Sequence, residues 1–177
     1  MVKLSPNPVS VATPSLDAEI VIEDDRWRSI AECETAILAA IRALATAQPP
    51  GLQDSAMATI VLSNDARLAE LNAAFRHKHG PTNVLSFPAD RRATLPGEPT
   101  YLGDVIIAHE TVLREAGDLD LPPRHHLQHL AIHGVLHLLG FDHIADADAA
   151  AMEALETRVL RSLGIADPYA CPPDNAE

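Results

Sequence analysis

The chain has 177 residues, which suits one domain with a single hydrophobic core. Its formal net charge is −12, with 13 lysines and arginines against 25 aspartates and glutamates. This charge argues against a general nucleic-acid coat or a membrane-surface protein, although it leaves room for a local basic cleft. No apolar run is long enough for a signal peptide or a membrane span, so we expect a cytoplasmic protein.

The apolar pattern predicts a single domain of four strands and five helices. Strands are predicted where apolar residues alternate or form short bounded runs, at 18–24, 58–63, 84–88 and 102–110. Helices are predicted where apolar residues recur three and four positions apart, at 29–46, 65–75, 111–117, 123–140 and 147–163. This order indicates an α+β fold, with a small mixed β-sheet flanked by helices. We expect the domain at 17–165, between a flexible N-terminal tail (1–16) and a flexible C-terminal tail (166–177).

A cluster of histidines lies in the segment HLAIHGVLHLLGFDH, residues 129–143. His129, His133 and His137 follow one another at intervals of four, so their side chains share one face of a helix. His129 and His137 are about 12 Å apart along the axis, too far to share one ion, whereas neighbours four apart can share one. Gly140 is placed to end the helix in a left-handed turn, so His143 can return to the ion. We therefore predict a metal site formed by His133, His137 and His143.

Three neutral imidazoles without thiolates suit Zn²⁺, with nickel, cobalt or copper as further possibilities. Three protein ligands leave a fourth position for water, which is the arrangement of catalytic zinc. Cys33 and Cys171 form no CxxC pair, so a thiolate zinc site is not expected. The remaining histidines are expected in loops or on the surface: His77, His79, His109, His125 and His126. His129 is expected one turn away from the ion.

Gly134 stands where zinc proteases of the HExxH type carry a glutamate as general base. No other residue of the predicted helix replaces that glutamate. A metal-bound hydroxide must then act with less help from a local base, or the base must come from elsewhere. This disfavours a peptidase and favours a substrate rich in anionic groups.

A local basic cluster occurs in the otherwise acidic chain. Arg76 and Lys78 lie in RHKHGPT, and Arg91 and Arg92 follow the next predicted strand. Guanidinium groups suit bidentate contacts with phosphate, and a positive cleft near a metal would hold a phosphodiester. The alternative is that these basic residues lie in a solvated loop that binds no phosphate. The chain has only three Phe, two Tyr and one Trp, so RNA binding should depend mainly on backbone and shape.

Three segments together resemble the YbeY family: LNAAFRHKHGPTNVLSFP from Leu71, LGDVIIA from Leu102, and HLAIHGVLHLLGFDH from His129. The resemblance implies a zincin-like metal site and a single-strand-specific, metal-dependent endoribonuclease. It further implies maturation of small-subunit ribosomal RNA, a role in ribosome quality control, and ribosomal RNA precursor, the small ribosomal subunit and assembly factors as partners. No membrane partner is implied.

Matching the family motif residue by residue assigns metal binding to His133, His137 and His143 and a place in the RNA-binding catalytic channel to Arg76. Asp104 and His129 match typical positions without an assigned role. The chain reads RHKHGPT where the family usually reads close to RGKDKPT, which puts the grip of this loop on its substrate in question. Two alternatives stay open, namely a metallopeptidase-like hydrolase and a non-catalytic ribosome-assembly factor with a structural metal.

Overall fold

The structure is a computed structural model that describes residues 14–52, 55–91, 94 and 97–170. Most of the two predicted tails, together with Arg92, lies outside the described residues. Within them, four strands are present: β1 (Ser15–Ile22), β2 (Ser55–Ser63), β3 (Val84–Pro88) and β4 (Thr100–Ala108). The described part also contains five α-helices: α1 (Cys33–Thr46), α2 (Asp65–Arg76), α3 (His109–Asp118), α4 (Pro123–Leu139) and α5 (Asp146–Ser162). A short 3-10 helix, Asp25–Ser29, precedes α1.

The strands form one mixed sheet in the order β1-β2-β4-β3. β1, β2 and β4 are parallel, and β3 is an antiparallel edge strand beside β4. The predicted α+β class, a small mixed sheet flanked by helices, is confirmed. The sheet starts slightly earlier than predicted, because Ser15 and Leu16 already pair with Ser55 and Ala56.

The end of β4 was predicted wrongly, because the strand stops at Ala108 and not at residue 110. His109 and Glu110 instead form the first turn of α3. The carboxylate of Asp65 accepts hydrogen bonds from the backbone N–H of Thr111 at 3.1 Å and from its hydroxyl at 2.7 Å. This contact from α2 supports the helix start, and it is a tertiary contact that local apolar alternation does not reveal.

The two faces of the sheet are covered by different helices. Val84, Val105 and Ile107 belong to the main core, which α1 and α4 complete. Leu85 alternates with Val84 along β3 and contacts Leu68 of α2 on the opposite face. Consequently α2 and α4 lie on opposite sides of the sheet.

Helix α4 lies unusually close to β3 and β4 at Gly134. The Ser86 hydroxyl donates to the Gly134 carbonyl at 2.9 Å. A Cβ atom at Gly134 would lie 2.4 Å from Cγ1 of Val105, so this position has no room for a side chain. The glutamate of the HExxH pattern is therefore sterically excluded here by contact between helix and sheet.

Two histidines expected in loops or on the surface are buried, so that expectation was wrong for them. His109 is 5% exposed and meets the Trp27 ring edge-to-face at 5.1 Å. His126 is also 5% exposed, and its Nε2 lies 2.7 Å from Glu115. Packing against a neighbouring element accompanies the burial of each ring: the 3-10 helix for His109 and α3 for His126. His77 and His79 are exposed, as expected. Among the described helices, none is long and apolar enough to cross a membrane.

Candidate metal centre

The structure brings the three predicted ligands together at the C-terminal end of α4. Nε2 of His133 and Nε2 of His137 are 3.1 Å apart. His143 completes the group, and one nitrogen from each ring lies within 4.8 Å of the others. The His143 ring centroid is 5.6 Å from that of His133 and 5.0 Å from that of His137. The arrangement is that of three convergent imidazoles.

Gly140 turns the chain back toward the helix, as the sequence predicted. Its φ of 99° is in the left-handed region, which is accessible to glycine at little cost. The N–H of Phe141 donates to the Leu136 carbonyl at 3.0 Å and closes the helix end. Asp142 then accepts the backbone N–H of His143 at 2.6 Å. These bonds hold the segment that carries His143.

Hydrogen bonds fix which nitrogen of each helical histidine carries the proton. Nδ1 of His133 lies 2.8 Å from Oε1 of Glu156, and Nδ1 of His137 lies 3.0 Å from the Phe141 carbonyl. Both partners are acceptors, so each neutral ring carries its hydrogen on Nδ1. The pKa of His137 is lowered by burial and by the neighbouring His133, which favours this neutral form. Both Nε2 atoms therefore present lone pairs to the same point.

This donor set fits a divalent transition metal. Two lone pairs 3.1 Å apart repel each other unless a cation or proton lies between them. Nitrogens that are each about 2.05 Å from one tetrahedral zinc ion are roughly 3.3 Å apart, close to the observed separation. Neutral imidazoles are ligands for zinc, copper, iron or nickel, so the geometry accommodates a metal without selecting which one.

Glu156 of α5 belongs to this site and was missed by sequence reasoning. Its side chain is fully buried, and it accepts hydrogen bonds from His133 at 2.8 Å and His129 at 3.2 Å and from the Tyr169 hydroxyl. Burial raises the pKa of the Glu156 carboxyl, but these three hydrogen bonds outweigh it and lower the pKa to about 2. A signal was present in the sequence, because Glu156 follows Met152 by four residues on the predicted apolar stripe of α5.

The structure does not bring Arg76 into contact with the three histidines. Arg76 is the last residue of α2, on the other face of the sheet from α4, and it is exposed. The loop after it folds back through a hydrogen bond from Asn72 to the Gly80 carbonyl at 2.9 Å. Beside Arg76, the exposed Phe75 ring meets Phe87 of the edge strand at 5.2 Å. Arg76 thus lies at the β3 edge of the sheet.

Two other residues noted in the sequence have structural partners. Arg91 donates to the Leu138 carbonyl, so its guanidinium is bound at the C-terminal end of α4. Asp104 accepts from the Tyr101 hydroxyl at 2.7 Å. Asp104 pairs with Phe87 across β3 and β4, which places it on the α2 side of the sheet. The contact of Arg91 supports the C-terminal end of the helix that carries His133 and His137.

Fold and site together define an α+β protein with three convergent histidines that could hold a metal ion. Comparison with known proteins identifies the family. The family model for Endoribonuclease YbeY matches residues 21–164. Endoribonuclease YbeY of Azorhizobium caulinodans is 46% identical over 159 residues, covering 89% of this chain and 98% of that protein. The protein of the same name from Parvibaculum lavamentivorans is 47% identical over 168 residues, covering 91% and 89% of the two chains.

The chain therefore belongs to the Endoribonuclease YbeY family, and the resemblance seen in its motifs is confirmed. The solution structure of TM1509 from Thermotoga maritima has a similar fold. It is 18% identical, with a TM-score of 0.50, and the alignment covers 87% of this chain and 99% of that one. At this level of identity the similarity concerns the fold alone.

Proposed function

We propose that this member of an endoribonuclease family is a single-strand-specific, metal-dependent endoribonuclease that matures small-subunit ribosomal RNA and acts in ribosome quality control. Precursor ribosomal RNA is the substrate, and the small ribosomal subunit with its assembly factors is the partner. We infer that the protein acts in the cytoplasm. The observation that carries the metal-dependent part is the convergence of His133, His137 and His143 with two ring protons held on Nδ1.

We assign Zn²⁺ to this centre, one ion per chain, held by His133, His137 and His143. When bound, the ion supplies Lewis-acid chemistry, by acidifying water or polarising a phosphoryl oxygen. The protein contributes the fixed orientation of the ligand rings through Glu156 and the Phe141 carbonyl. We assign to Arg76 a contact with the RNA backbone, because its exposed guanidinium at the β3 edge suits binding to phosphate. In this assignment Arg76 binds substrate at a distance from the metal ligands.

The metallopeptidase alternative is less well supported. Gly134 has no space for the glutamate base of that class. The buried carboxylate nearest to the ligands, Glu156, is occupied by three hydrogen-bond donors. A peptide-cleaving activity abolished by a chelator would nevertheless favour it.

A side-by-side purification tests the proposal. Wild type, His137→Ala and Arg76→Glu are assayed for metal per chain and for cleavage of structured precursor ribosomal RNA. We expect wild type and Arg76→Glu to carry about one metal and only wild type to cleave, whereas His137→Ala loses both. Arg28→Glu is the matched control, because Arg28 is 68% exposed in its side chain and already pairs with Asp25 at 2.9 Å.

Two outcomes contradict the proposal. Cleavage by metal-free His137→Ala indicates a contaminating nuclease or a site elsewhere. Sedimentation of repurified wild type with small ribosomal subunits, without any cleavage, favours the non-catalytic assembly factor with a structural metal.

A further inference from the structure

We propose that Glu156 is a positioning residue of the metal centre, and that Tyr169 and His129 hold it in place. Its carboxylate keeps His133 in the tautomer that directs Nε2 toward His137. The proposal rests on the proposed function only in taking His133 as a metal ligand. It extends the centre from three histidines to the residues that hold one of them, Glu156 of α5 and Tyr169 in the segment after α5.

The position of Glu156 needs a reason other than packing. The side chain is fully buried on the apolar face of α5, which also carries the buried Leu155 and Val159. Burying a carboxylate is unfavourable unless donors surround it, and a well-packed apolar residue is often at least as stabilising. Both oxygens of Glu156 have donors, which come from α4 and from the segment after α5. Such an arrangement orients its partners more than it stabilises the fold.

The contact with His133 has a defined direction. Oε1 of Glu156 lies 2.8 Å from Nδ1 of His133, and a carboxylate can only accept there. An anionic partner on Nδ1 makes Nε2 more basic and fixes the plane of the ring, and metal-binding histidines commonly have such a partner. His137 has only the neutral carbonyl of Phe141 in the corresponding place. Of these two ligands, only His133 therefore has a charged hydrogen-bond partner on Nδ1.

Tyr169 connects this carboxylate to the C-terminal segment. Asp167 accepts from the backbone N–H of Tyr169 at 3.0 Å and from the Thr157 hydroxyl at 3.0 Å, which fastens the turn to α5. The Tyr169 hydroxyl then donates to Oε2 of Glu156. Burial, and next the Glu156 carboxylate, raise the pKa of Tyr169, so the phenol keeps its proton and remains a donor.

His129 completes the surroundings of Oε2. Its Nε2 lies 3.2 Å from Oε2 of Glu156 and 3.3 Å from the Tyr169 hydroxyl. His129 thus faces the carboxylate and not the convergence point of the ligands. This contact gives a role to His129, which lies too far along the helix from His137 to share one ion with it.

The test measures zinc affinity without RNA. Metal-free wild type, Glu156→Gln, Tyr169→Phe and Glu153→Gln are titrated with zinc in competition with a chromophoric chelator. We expect Glu156→Gln to bind zinc about 10- to 100-fold more weakly, as is usual when such a partner is removed. Tyr169→Phe should show a smaller loss. Glu153→Gln should match wild type, because it removes the same charge from an exposed position of the same helix.

A second measurement separates positioning from general damage to the fold. Long-range ¹H–¹⁵N NMR of the histidine rings in the metal-free proteins reports the tautomer of His133, assigned with a His133→Asn variant. Wild type should hold the proton on Nδ1, and Glu156→Gln should show a mixture of tautomers. Should Glu156→Gln fail to fold by circular dichroism, Tyr169→Phe carries the test, because it keeps the ring and loses only the hydroxyl.

Unchanged zinc affinity and an unchanged His133 tautomer in a folded variant would overturn the proposal. Wild type that binds zinc but does not cleave RNA refutes the proposed function and leaves this inference standing. A His133→Ala variant that binds zinc as tightly as wild type overturns the inference, since His133 is then not a ligand.

Discussion

At the scale of single residues, Gly134 links the fold to the site. It lies between His133 and His137, at the point where α4 packs against Val105. We expect Gly134→Ala to lower the free energy of unfolding by about 1–3 kcal/mol, because a Cβ there overlaps the valine side chain. Since the helix must move to accommodate it, zinc affinity should fall as well. Urea unfolding and chelator competition measure the two effects.

The matched control for this substitution is Gly117→Ala in α3. Among the described residues, no atom outside the adjoining backbone of α3 lies within 4 Å of the position that a Cβ at Gly117 would take, so alanine should stabilise that helix by about 0.5–1 kcal/mol. Equal effects of the two substitutions would contradict the close contact between α4 and the sheet.

A second prediction at this scale concerns the buried His126. Burial lowers its pKa, with the nearby Glu115 acting in the opposite direction. Nδ1 has no hydrogen-bond partner among the described residues, so protonation places an unpaired N–H in the interior. Because the pKa of His126 is lower in the folded state than in the unfolded state, neutral His126 contributes stability above the unfolded pKa. That contribution is lost as the pH falls through the folded pKa.

Metal-free wild type should therefore lose free energy of unfolding more steeply than His126→Gln between about pH 7 and about pH 5. Urea titrations with chelator present measure the difference. His79→Gln, at an exposed position, should keep the wild-type slope. Parallel curves for wild type and His126→Gln would show that His126 does not contribute to the pH dependence.

At the scale of elements, the end of α4 determines where His143 lies. Gly140 has a φ of 99°, and a Cβ at this position would meet no atom within 4 Å among the described residues other than its chain neighbours, so backbone strain is what opposes a side chain there. We expect Gly140→Ala to cost about 1 kcal/mol of stability, and to weaken zinc binding because the return of the chain is disturbed. Gly140→Asn should be milder, since asparagine tolerates the left-handed region. Equal zinc affinity in all three proteins would show that this turn does not position the ligand.

Helix α4 and its glycine turn were predictable because the information is local. Apolar spacing, prolines at the start and Gly140 at the end define the helix, and the interval of four residues aligns His133 with His137. The contribution of Glu156 was not predictable in the same way, because it depends on how α5 crosses α4. The start of α3 at His109 depends likewise on Asp65 of another helix. Local patterns therefore predicted which three histidines converge, whereas the contact of Glu156 with His133 depends on tertiary packing.

At the scale of the whole molecule, the question is how a chain of net charge −12 binds a polyanion. Several cations are held by acids or carbonyls: Arg26 by Asp24 and Glu110, and Arg91 by the Leu138 carbonyl. The C-terminal end of α2 and the loop that follows it carry two exposed cations, Arg76 and Lys78. Under the proposed function, this loop supplies phosphate contacts that the rest of the surface does not favour.

Salt dependence tests that local contribution. Binding of single-stranded RNA is measured in a His137→Ala background, which prevents cleavage, across a series of salt concentrations. Each phosphate contact adds about 0.7 to the steepness of log affinity against log salt, so adding Arg76→Gln should make the slope shallower by that amount. Adding Arg28→Gln removes the same charge but leaves the slope unchanged, because Asp25 pairs with Arg28 at 2.9 Å. Equal slopes for both variants would mean that net charge, and not the Arg76 loop, controls RNA binding.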